Sequence, residues 1–112
     1  MAETRFQPVI RLRVCNPEGT PDDSFGPGTA RLLQGIREFS SLNRAAAQMG
    51  MAYSKAWKSI RATEAHLGFP LIERLGPRGS VLTAAGEAFL NRYLRAEAAA
   101  QAAARAVLDE TE

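Results

Sequence analysis

The residues able to support bond-making chemistry are few in this 112-residue chain, which holds one His (His66) and one Cys (Cys15). No Gly-rich phosphate loop, C-x-x-C pair or His-rich spacing accompanies them. The sequence therefore offers no catalytic triad, metal cluster or cofactor cradle. No enzyme, metal or cofactor is expected, and no small-molecule ligand can be inferred. His66 reads as an ordinary helix residue and Cys15 as a small apolar filler at a strand end. What the chain does carry is a set of hydrogen-bond donors at helical spacing. Tyr53, Ser54, Trp57, Lys58 and Arg61 are related by steps of three and four residues, and so form one face of a helix. Lys and Arg donate to phosphate oxygens, and Arg61 has the fork that matches a guanine edge. Lys55 lies to one side of this face, where a nucleic-acid backbone would run. Trp57 covering the edge of the core, and Tyr53 packing with its hydroxyl satisfied, are the plainer structural roles for those two residues.

Charge distribution points the same way. The formal net charge is only +2. Residues 31–80, however, hold eight bases, Arg44, Arg74 and Arg78 among them, against three acids, and both flanks are mildly acidic. A local positive field of this kind suits a polyanion.

The elements that must position these groups follow from periodicity. Ile10, Leu12 and Val14 alternate with Arg11 and Arg13, which predicts a half-buried strand over Val9–Val14, with Pro8 at its start. The Pro/Gly/Asp-rich stretch Asn16–Gly28 is a loop whose one large apolar residue, Phe25, should tuck into the core. Leu32, Leu33, Ile36 and Phe39 then recur with helical period behind a candidate cap at Thr29. Ser40-Ser41 interrupts this pattern. A short helix with Leu42, Ala45, Ala46 and Met49 inward ends at Gly50. The next helix buries Ala56, Ile60, Thr63 and Leu67, which turns the donor face outward, and Gly68 stops it. Leu71-Ile72 and Val81-Leu82 flank a Gly/Pro turn and read as a hairpin carrying Arg74 and Arg78. Thr83 caps a last helix running to about Leu108, with an alanine-dense second half.

Two helices about a Gly-bearing turn, followed at once by a hairpin, make a helix-turn-helix with a wing. The expected fold is thus mainly α: a winged helix-turn-helix with an N-terminal strand, a short two-stranded wing and a long C-terminal helix. The expected organisation is an N-terminal strand and loop over 1–28, the winged helix-turn-helix over 29–83, and the long helix over 84–112. A helix that outlasts a domain this small is expected to pair with a second copy, through Leu32, Leu90, Leu94, Ala98, Ala102 and Leu108. Length supports one domain with a real core. A lone Cys precludes an internal disulfide, no apolar run reaches membrane-spanning length, and the N-terminal MAETRFQPVI lacks a signal peptide's apolar region. A cytoplasmic location is the expectation.

These pieces match a known family. Ser41-Leu-Asn-Arg-Ala-Ala46, Gly50-Met-Ala-Tyr-Ser-Lys-Ala-Trp57, Gly68-Phe-Pro-Leu-Ile-Glu-Arg74 and Leu82-Thr-Ala-Ala-Gly-Glu87 resemble the DNA-binding domain of ModE-type molybdenum-dependent regulators. The third and fourth pieces are shared with LysR-type regulators, the nearest relatives, and the Tyr-Ser-Lys-Ala-Trp piece favours the ModE side. The resemblance implies a homodimeric regulator that binds double-stranded DNA with its third helix and dimerises through its last. ModE-type proteins continue into a molybdate-binding domain. This sequence ends before one could begin, so molybdate sensing is not expected. The wing, Gly76-Pro-Arg-Gly79, is shorter than the family's, and Ala52 stands where a capping Ser is common. A winged helix that pairs with another regulator through protein contacts is the alternative, since the fold does not fix the partner. The polar, cationic face of the third helix favours DNA.

Overall fold

The computed structural model describes residues 5–110. The helices are α1 (Pro27–Phe39), α2 (Leu42–Gln48), α3 (Tyr53–Leu67) and α4 (Ala84–Leu108), and the antiparallel strands β1 (Ile72–Arg74) and β2 (Ser80–Leu82) separate α3 from α4. The fold is mainly helical, and the two strands pair in the register Ile72 with Leu82 and Arg74 with Ser80. The apolar positions read from periodicity meet in one core. Leu32, Leu33 and Ile36 of α1, Leu42 and Ala45 of α2, Ala56 and Ile60 of α3, and Leu90 and Tyr93 of α4 are all buried. Each large side chain enclosed there contributes roughly 1.5–3 kcal/mol relative to exposure. Phe25 is fully buried, with its ring centroid 4.8 Å from that of Phe89 and 4.9 Å from that of Tyr93.

Helix ends follow capping chemistry. Ser41 Oγ accepts from the Arg44 N–H and starts α2, and Thr83 Oγ1 accepts from the Gly86 N–H and starts α4. Gly50 and Gly68 adopt left-handed backbone just beyond α2 and α3. The start of α1 differs from expectation. The helix begins at Pro27 with Gly26 as N-cap, and Thr29 is a buried residue of its first turn. Proline, with φ already helical and no N–H to lose, takes the first position instead.

The expected N-terminal strand does not form a ladder. Among the described residues its one pairing is an isolated bridge between Val14 and Phe25. The alternation in burial persists, with Ile10, Leu12 and Val14 half-buried and Arg11 and Arg13 exposed. The segment is an extended strap whose backbone is satisfied by side chains. Tyr93 donates its hydroxyl to the Leu12 carbonyl at 2.9 Å, and Gln101 Nε2 donates to the Pro8 carbonyl. At the far end of the strap, the Asn16 N–H donates to His66 Nε2 at 2.8 Å. His66 is therefore an anchor for the strap rather than an unengaged helix residue, and Cys15 is exposed rather than a filler.

The dimer expectations divide. Leu32 and Leu90 are enclosed in this chain's own core, 1% and 0% exposed, and have no surface to offer a partner. Leu94 is half-buried against that core. Ala98, Ala102 and Leu108 are exposed. α4 has 25 residues, about 37 Å of helix; its buried residues lie in its first half, and its second half is bound by the strap through Gln101. The Cα radius of gyration is 16.6 Å, against about 13 Å for a compact chain of this length.

Candidate nucleic-acid interface

The expected donor face is assembled by α3. With Ala56, Ile60 and Thr63 buried, the opposite side presents Tyr53, Ser54, Lys58 and Arg61 to solvent, and Lys55 is exposed beside them. Trp57 is half-buried. Ala52 occupies the N-cap with no side-chain cap, so α3 begins on an extended backbone at the end of the turn. That turn closes through the Met51 N–H donating to the Ala46 carbonyl at 2.9 Å.

The wing stands beside this face because two contacts hold its base. The Ser80 N–H donates to the Ser40 carbonyl at 3.0 Å, which ties β2 to the α1–α2 junction. Glu64, 8% exposed, accepts from the Leu71 N–H at 2.7 Å and from the Ile72 N–H at 3.3 Å, tying β1 to α3. The other oxygen of Glu64 lies 3.4 Å from Arg61 Nη1. Sequence reasoning missed Glu64. The signal available was its place on the inward line of α3, next to Thr63, where an acid needs a partner.

Arg74 is exposed at the end of β1, and Arg78 is exposed in the 3₁₀ turn Gly76–Arg78. The Arg74 guanidinium carbon lies 4.6 Å from the Trp57 ring centroid, and that of Arg61 lies 4.9 Å from it. Both are within cation–π range. Arg44, exposed on α2, stacks instead over Phe39 at 4.8 Å. Between the start of α2, the start of α3 and the wing lies a cleft of about 180 Å³, lined in part by Ser41, Asn43, Tyr53 and Arg74. Its polar groups and cation suit a phosphate of a nucleic-acid backbone.

A family model described as bacterial regulatory helix-turn-helix protein, lysR family, matches residues 29–87, more than half of the chain. The chain belongs to the LysR family. The match spans both helices of the helix-turn-helix, the wing and the first turn of α4. Among solved structures, the chain is similar to the CbnR_DBD–DNA complex, with 30% identity over 70% of this chain and 93% of that one, at a TM-score of 0.58. It is also similar to CbnR, a LysR family transcriptional regulator, with 32% identity over 70% of this chain and 27% of that one, at a TM-score of 0.57. VV2_1132, another LysR family transcriptional regulator, shares the fold at 20% identity and a TM-score of 0.57, over 80% of this chain and 32% of that one. The chain thus spans about a third or less of those two longer regulators. No curated protein sequence matches it. The fold is that of LysR DNA-binding domains, a family of transcription regulators and not of enzymes. The ModE-type likeness is not supported by these matches. The matched span includes Gly68–Arg74 and Leu82–Glu87, which lead into the wing and cap α4.

Proposed function

We propose that this LysR-family domain is the part of a transcriptional regulator that reads double-stranded DNA, working as a homodimer on an inverted repeat. The observation that carries the reading is the outward face of α3, where Tyr53, Ser54, Lys58 and Arg61 stand free of the core beside the wing cations Arg74 and Arg78. α3 enters the major groove, and the wing meets the adjoining backbone. Lys55 and Arg44 supply further backbone contacts. A similar domain stands in a complex with DNA in the CbnR_DBD–DNA structure. Residues 29–83 form the reading unit, the strap of residues 8–14 ties it to α4, and α4 pairs the two copies through the exposed Ala98, Ala102 and Leu108. Half-sites then lie about one helical turn apart or a multiple of it.

The test is selection of bound fragments from sheared genomic DNA, followed by sequencing. Recovery of fragments sharing an inverted repeat is expected. Failure to retain any fragment at low ionic strength would sink the DNA reading and leave a protein-pairing module in its place.

A further inference from the structure

Trp57 is the only tryptophan of the chain, and it sits where α3 and the wing meet. Its indole carries two guanidiniums from different elements, Arg61 of α3 and Arg74 of β1. Two like charges brought to one ring repel each other, and Glu64 neutralises only the first. Among the described residues Arg74 makes no ion pair. The arrangement therefore holds an under-compensated cation in a fixed place at the solvent side of the interface. A long arginine otherwise samples many rotamers, and ordering it on binding opposes affinity. A planar guanidinium stacked on an aromatic face is already ordered and keeps its in-plane N–H donors free for a phosphate or a base edge.

We propose that Trp57 is a positioning residue: it acts on DNA through Arg61 and Arg74, holding both in their binding geometry and coupling the wing to the reading helix. This rests on the DNA reading above. It assigns Trp57 no base contact of its own. It fits an indole that packs one side against the core and carries the two guanidiniums over its ring, and it fits an exposed wing cation set beside α3. It also makes the reading helix and the wing respond together: a change at Arg74 alters the surroundings of Arg61 through the shared ring.

Two measurements on the full chain test this. The first needs no DNA. Trp57 emission reports the stack directly, and Arg74→Ala and Arg61→Ala should each shift it. Unmoved emission in both variants overturns the stack. The second compares Trp57→Phe with Trp57→Leu on a duplex recovered by the unmodified protein from sheared genomic DNA, after circular dichroism shows that both variants are folded. Phe keeps an aromatic plate and should bind within about twofold of the parent, while Leu, which keeps bulk but no ring, should lose about five- to tenfold. Arg74→Ala should then matter less in the Leu background than in the parent, because the side chain it removes is no longer held. Equal binding by the Phe and Leu variants, or an additive cycle, overturns the coupling. If the unmodified protein recovers no duplex, the DNA reading itself fails, a result distinct from either of these.

Discussion

At the scale of single residues, the proposed DNA reading gives the side chains of α3 separable roles. Lys58 is exposed and makes no ion pair among the described residues, so it can act as a point charge toward phosphate. Lys58→Ala should weaken binding evenly across sequences and reduce the salt slope by about one unit in a salt titration. Arg61 has a fork directed by Glu64 and Trp57. Arg61→Ala should cost roughly 1–3 kcal/mol at one base position and relax preference there, read by competition with single-base variants of the recovered site. Glu64 differs again, because it faces inward. Glu64→Ala leaves the buried Leu71 and Ile72 N–H groups without their acceptor and should lower stability by about 2–4 kcal/mol in denaturant melts, DNA or no DNA. The outward donors were legible in the sequence because helical period alone sorts them from Ala56 and Ile60. Glu64 was not, because its partners are two backbone groups seven and eight residues away, and side-chain periodicity carries no record of backbone demand. The Trp57 stack was hidden for a similar reason: it joins residues 57 and 74, and no local pattern links them.

At the scale of elements, the strap and the wing show what alternation can and cannot say. The period of two over Val9–Val14 marked the inward residues correctly but implied a strand, and among the described residues no neighbouring strand lies beside it. α4 takes that role with side chains, above all Tyr93. Burial, first, and then the Glu97 carboxylate raise the Tyr93 phenol above its usual 10.0, with Arg13 opposing. The unfolded chain therefore ionises before the folded one as pH rises. Stability is full below about pH 10 and declines as pH climbs through the folded value. Tyr93→Phe should flatten that alkaline decline and, at neutral pH, cost about 1 kcal/mol for the lost bond to the Leu12 carbonyl, both read from thermal melts across pH. The wing, by contrast, was readable as a hairpin, because Gly76-Pro-Arg-Gly79 announces a turn, although β1 runs two residues past the expected Leu71-Ile72 to Arg74. Gly79 has φ +92, and a Cβ there would collide with the Ser40 carbonyl that anchors β2. Only glycine meets both conditions, so Gly79→Ala should loosen the wing from the α1–α2 junction. Faster amide exchange at Ser80 would show it.

At the scale of the whole molecule, shape decides which part of α4 belongs to this chain and which is free to pair. The long extent of 58 Å, against 22 Å at the thinnest, comes from a helix whose first half supplies Leu90 and Tyr93 to the core and whose second half does not. Helical period marks Leu90 as inward-facing but cannot say whether it meets this chain's own core or a partner, and this is why Leu90 was expected at a seam it does not reach. Beyond Leu94 the exposed residues include Ala98, Ala102, Val107 and Leu108, and the exposed Phe6 and Val9 belong to the strap bound at Gln101. Apolar surface left this way by a small domain is stabilised by burial against a like surface. If the pairing runs through this half, deleting residues 96–112 should give a monomer in sedimentation. Ala102→Glu in the full chain should do the same while leaving the core intact, since residue 102 is exposed. The two subunits of a dimer bind an inverted repeat with a high effective concentration at the second half-site. Losing it should reduce affinity for the full repeat by about a hundredfold or more while leaving single half-site affinity near its former value. A truncated chain that still sediments as a dimer would move the seam off α4, and equal loss on full and half sites would mean that reading, not pairing, had been damaged.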